Sequence, residues 1–68
     1  MSKIKITLNG ESKELNSKQL KDLLTEHAPK DRPFAIEING IIVPSSNFNN
    51  FKLEHNDRIE IIAAVGGG

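Results

Sequence analysis

The stretch Phe34-Ala35-Ile36-Glu37-Ile38-Asn39-Gly40-Ile41-Ile42-Val43-Pro44 decides the fold. A strand-forming run, an Asn-Gly pair and a short apolar return predict a β-hairpin, because both central positions of a type I′ turn need positive φ. That turn sets Ile38 opposite Ile41 and Ile36 opposite Val43 on one face. Pro44 offers no N–H to a ladder, so the return strand ends there or lies at a sheet edge.

Upstream, Ile4, Ile6 and Leu8 alternate with Lys3, Lys5 and Thr7, and Asn9-Gly10 follows. Met1 to Leu15 therefore reads as a first hairpin, with Ile4 opposite Leu15 and Ile6 opposite Lys13. Its second arm, Glu11 to Leu15, is polar and suits an edge, where Lys13 discourages edge-to-edge pairing. Between the hairpins lies one helix. Asn16 is the expected N-cap, with Gln19 at N3 reaching back and Leu15 and Leu20 as a hydrophobic staple. Leu20, Leu23 and Leu24 form the apolar stripe, and Pro29 stops the helix near His27 or Ala28.

Downstream, Ser45 to Asn50 is a polar loop in which Phe48, with Phe51 and Leu53, is expected to fold back over the core. Asn56-Asp57 is a turn, and Ile59, Ile61, Ala63 and Val65 alternate into a final strand. The order β-β-α-β-β-β gives a two-layer α+β domain with one helix across one face of a mixed sheet. The first and last strands are expected to be adjacent and parallel. The core is expected from Ile4, Ile6, Leu20, Leu23, Leu24, Ile36, Ile38, Ile59 and Ile61. Residues 1–65 read as the domain and 66–68 as a glycine tail.

Composition narrows the function. The 68 residues carry 9 Lys plus Arg against 9 Asp plus Glu and no Cys. Balanced charge argues against nucleic acid, and the missing thiols remove disulfides, thiolate metal sites and cysteine nucleophiles. A domain of this size buries about 60% of the surface its unfolded chain exposes, which leaves little room for a catalytic cleft. The longest apolar run, Ile61 to Val65, is far short of a membrane span. The expectation is a soluble, cytoplasmic domain with no metal and no bound cofactor.

The chemistry-bearing side chains give no catalytic set. His27 and His55 lack metal spacing. Asp57, Glu60, Glu11 and Glu14 read as solvated charge. Gly66-Gly67-Gly68 are different, because no turn or cap needs three glycines after an apolar strand. Two readings stand: an idle terminus, or a substrate tail whose missing Cβ atoms let it thread a narrow slot in another protein. Its carboxylate would be ionised at neutral pH and would need conversion to a mixed anhydride before reacting. The chain has no phosphate loop, so a partner must use the ATP. On the sheet face away from the helix, parity places Ile42 and Ile62, which are either scattered exposed residues or a small docking patch, with Arg58 and Glu60 nearby.

The chain resembles the β-grasp, or ubiquitin-like, fold, and within it is similar to the ThiS family, the sulfur carriers of thiamine biosynthesis. Asn9-Gly10, Leu20 to Leu24, the Phe34 to Pro44 hairpin, Phe48, Leu53, Asn56-Asp57-Arg58-Ile59 and Val65-Gly66-Gly67-Gly68 carry the resemblance. His55-Asn56-Asp57 stands where the family often has Asp-Gly-Asp. The resemblance implies that the Gly68 carboxylate is adenylated by an E1-like, ThiF-like adenylyltransferase using ATP. A persulfide donor would turn it into a thiocarboxylate, and a ThiG-like thiazole synthase would take the sulfur. It implies a carrier rather than an enzyme, monomeric when free. The small subunit of molybdopterin synthase, a ubiquitin-like modifier and a plain binding module are the alternatives; Ala63-Ala64 replaces the Pro-Pro pair usual in the first.

Overall fold

The computed structural model describes residues 3–63. Five strands and one helix run β1 (Ile4–Leu8), β2 (Glu11–Leu15), α1 (Leu20–His27), β3 (Phe34–Ile38), β4 (Ile41–Val43) and β5 (Arg58–Ala63), with a 3-10 turn at Ser45–Asn47. The sheet order is β2-β1-β5-β3-β4. β1 and β5 are adjacent and parallel, and both hairpins are antiparallel. One helix on a five-stranded mixed sheet is the β-grasp arrangement that the resemblance implied.

Both Asn-Gly turns have the backbone that the sequence demanded, with φ of 50° at Asn9, 86° at Gly10, 53° at Asn39 and 85° at Gly40. Positive φ at both positions twists the turn with the strands and fixes the register. Ile4 faces Leu15 and Ile6 faces Lys13, while Ile38 faces Ile41 and Ile36 faces Val43. Asn56 also adopts positive φ, 74°, in the turn before β5, a conformation that Asn tolerates.

The helix begins later than its capping signals predict. Asn16 is not the N-cap; the helix starts at Leu20, and Gln19 at the cap position is extended with no side-chain cap. A tertiary contact overrides the local signal. Gln19 bridges Lys52, Leu53 N–H donates to Lys18 C=O at 2.6 Å, and Leu20 N–H donates to Phe51 C=O at 3.1 Å. Residues 18–20 are thus tied to 51–53 by an isolated antiparallel bridge flanked by these two bonds. Ser17 takes over the start of the helix: its Oγ accepts from Gln19 N–H and donates to the Asp22 carboxylate. At the other end, Ala28 N–H closes on Leu24 C=O and Pro29 stops the helix.

The core holds Ile4, Ile6, Leu8, Leu20, Leu23, Ile36, Ile38, Val43, Leu53 and Ile59, all buried. Leu24 and Ile61, expected inside, are only half-buried at its margin. Phe48 and Phe51 pack against the core as expected, and Phe48 stacks on Phe34 with ring centres 6.0 Å apart. Among the described residues no helix is long and apolar enough to cross a membrane.

Candidate functional site

The candidate site has two parts: β5, which leads toward the terminal glycines, and the sheet face opposite the helix. Gly66, Gly67 and Gly68, like Val65, lie outside the described residues. The open face is built by strand alternation. On β5 it receives Arg58, Glu60 and Ile62, which are exposed, while Ile59 on the other parity is buried. Ile42 and Ile62 are 54% and 49% exposed, so the parity assigned from sequence is right. They are not contiguous, however. Ile42 lies opposite Glu37, which pairs with Glu60, and Ile62 pairs with Ala35. Two strand spacings and a two-residue offset put them roughly 12 Å apart, with Ala35 and Glu37 between. Thr7 of β1 continues the face beyond Arg58.

Ile41 is 70% exposed, although its pairing with Ile38 places it on the core side by parity. It is the first residue after the turn, on a three-residue edge strand, where none of the described residues covers it. Sequence parity alone assigns a face and not its cover.

Two residues that the sequence marks only as turn formers hold β5 in place. Asn9 N–H donates to Ile59 C=O at 2.9 Å, and Asn9 Oδ1 accepts from Ile61 N–H at 2.8 Å. Asn39 does the same at the other end: its N–H donates to Arg58 C=O at 2.8 Å and its Oδ1 accepts from Arg58 N–H at 2.9 Å. Both carboxamides stand in as strand rungs. Only the tertiary pairing reveals this, because an Asn-Gly turn needs the residue for its φ alone.

Asp57 corrects the sequence reading. It is buried, 8% exposed, rather than a solvated charge. Its Oδ1 accepts from Asn39 Nδ2 at 2.9 Å and its Oδ2 from Glu54 N–H at 2.8 Å. The carboxylate ties the β3–β4 turn to the entry of β5. Asp57→Ala should cost about 1–3 kcal/mol, because it strands two donors. Denaturant unfolding of Asp57→Ala, Asn39→Ala and the double variant measures the coupling; additive losses would mean that the two residues act independently.

His27 lies 3.6 Å from Glu26 at the helix end, and His55 Nδ1 accepts from Lys5 N–H at 3.0 Å. Among the described residues no three His, Cys, Asp or Glu side chains come together to hold a metal.

With this geometry in view, a family model described as "ThiS family" matches residues 6–68. A thiazole synthase of Paramagnetospirillum magneticum is 35% identical over 66 residues, covering 96% of this chain and 20% of the synthase. The chain therefore spans about a fifth of that relative's length. An uncharacterized protein of Pyropia yezoensis is 34% identical over 71 residues, covering 98% of this chain and 96% of that protein. The crystal structure of a thiamine biosynthesis protein, ThiS, from Geobacter metallireducens superposes with a TM-score of 0.76 at 21% identity, covering 96% of this chain and all of that one.

Proposed function

The chain belongs to the ThiS family, and from that premise we propose that it carries sulfur for thiamine biosynthesis on the carboxylate of Gly68. The observation that carries the proposal is the family match, which runs through Gly66, Gly67 and Gly68. Residues 1–65 are the scaffold in this reading and 66–68 the arm. The protein is a co-substrate of other enzymes and not a catalyst, as group carriers are.

The chemistry follows from the carboxylate. Ionised at neutral pH, it resists attack by a nucleophile. An E1-like adenylyltransferase joins it to the α-phosphate of ATP and releases pyrophosphate. The terminal sulfur of a persulfide then attacks the acyl carbon and AMP leaves. A thiol cleaves the resulting S–S bond, taking up the other sulfur as a disulfide, and the thiocarboxylate remains. Thiazole synthase receives that sulfur; the likeness to a thiazole synthase polypeptide supports this partner. Incubating the protein with adenylyltransferase, ATP and a persulfide source should replace one oxygen by sulfur in its intact mass. An unchanged mass would overturn the proposal, and transfer of the chain onto partner lysines would favour a protein modifier.

The open face is the proposed grip for the adenylyltransferase. Threading a glycine arm costs on the order of 1–2 kcal/mol of backbone entropy per residue, and the balanced charge supplies no steering. Ile42 and Ile62 are the apolar anchors, with Arg58 and Glu60 beside them. Ile62→Asp should weaken binding at least tenfold, roughly the worth of one buried aliphatic side chain. Its unfolding midpoint should stay near that of the parent, because the side chain is already half in water. Unchanged affinity would place the grip elsewhere.

A further inference from the structure

Backbone groups on β5 point alternately to its two neighbours. Thr7 N–H donates to Asp57 C=O at 3.0 Å and Asn9 N–H to Ile59 C=O at 2.9 Å, so odd-numbered residues face β1. Asn39 N–H donates to Arg58 C=O at 2.8 Å, so even-numbered residues face β3. Glu60 and Ile62 accordingly exchange rungs with Glu37 and Ala35. On the other side β1 pairs only as far as Leu8↔Ile59 and then turns away at Asn9-Gly10. The Asn9 carboxamide fills one more rung, on Ile61 N–H. Past it, no strand among the described residues meets Ile61 C=O or Ala63 N–H. Below this half-edge, on the helix side, a groove of about 370 Å³ is lined by Leu8, Lys13, His27, Ile61 and Ala63, among others.

We propose that thiazole synthase lays an extended segment into the lane β1 vacates, pairing with Ile61 C=O and Ala63 N–H as an added strand; this rests on the carrier reading above. Gly68 is the fifth residue beyond Ala63, a reach of about 18 Å at most. The reacting centre of an enzyme that holds the Gly68 carbonyl therefore lies within that reach of this end of the sheet. Strand addition supplies affinity through main-chain hydrogen bonds, with side-chain pockets adding specificity. Here the pocket is the groove, where a side chain of the added strand would lie beside Lys13 and His27. The small Ala63 side chain leaves its floor open.

The test uses the full chain, isotope-labelled, with thiazole synthase from the same source. On saturation the Ala63 amide should exchange with solvent at least tenfold more slowly. The Ile62 amide, already paired with β3, should not change. Ala63→Pro removes an N–H that β3 does not use, so the midpoint should hold while affinity for the synthase falls about tenfold, the worth of one hydrogen bond. Ala63→Val keeps the N–H and should bind like the parent. An Ala63 amide exchanging at its free rate in the saturated complex overturns the added strand, and so does parent-like binding by Ala63→Pro. Should Ala63→Pro lower the midpoint, the exchange measurement on the parent chain decides. Thiolation of the parent by the adenylyltransferase is measured in parallel. Failure there removes the carrier reading itself; thiolation with an unprotected Ala63 removes only the strand.

Discussion

Extending the chain beyond Gly68 by even one residue should abolish thiolation while leaving the unfolding midpoint unchanged. Among the described residues every buried one lies between Ile4 and Ile59, so an addition after Gly68 is expected to remove none of these core contacts. The acyl adenylate forms on a free carboxylate, and an extension converts the Gly68 carboxylate to an amide. That amide keeps only a neutral carbonyl oxygen and has no carboxylate oxygen to attack the α-phosphate of ATP. The expected readout is complete loss of the sulfur-for-oxygen mass change, with far-UV and thermal signals matching the parent. Proteolytic trimming back to Gly68 should restore thiolation. An extended chain that is thiolated without trimming would refute the assignment of Gly68 as the carrier atom. A lowered midpoint would show that the arm contributes to the fold.

The hairpins were legible because their information is local. Asn-Gly pairs force the turn, and a side-chain period of two then fixes which residues face which. That is why all four cross-strand pairs read from the residues recur in the structure. The helix start was not legible, although Asn16, Gln19 and the Leu15–Leu20 staple form a good local signal. The backbone of residues 18–20 pairs with 51–53, over thirty positions away, and a sequence window cannot see that bond. Asp57 was misread for the same reason. A carboxylate in a turn is usually hydrated, and only the arrival of Asn39 and the Glu54 N–H makes burial tolerable. Leu24 and Ile61 show the limit of periodicity: it assigns a face, but the edge of the overlying layer decides how deeply a residue on that face is buried.

The site divides similarly. The glycines announce themselves by composition, and the exposure of Ile42 and Ile62 follows from parity. The gap between those two residues, filled by Ala35 and Glu37, requires the strand order. So do the Asn9 and Asn39 rungs on β5, and they tie the turns of both hairpins to the strand from which the arm leaves. These bonds fix β5 on both sides as far as Ile61.

Leu23→Ala should then destabilise the domain by about 2–5 kcal/mol, the cost of deleting a buried leucine and leaving a cavity. Leu23 is 3% exposed on the buried face of a helix of 8 residues, and that helix is the sole helical cover of the sheet among the described residues. A helix this short is not stable alone, so its leucines hold it in place. A chain of 68 residues has roughly 3–10 kcal/mol of stability in total, so the loss is a large share of it. At about 4–8 °C per kcal/mol for a domain of this size, the midpoint should fall by roughly 8 °C at the least. Lys21→Ala, two positions away and exposed, should stay within about 0.5 kcal/mol of the parent. Where Leu23→Ala remains folded at low temperature, its thiolation should match the parent, because neither the open face nor the arm has been touched. A Leu23→Ala midpoint equal to that of Lys21→Ala would mean that the helix does not anchor the sheet through this side chain.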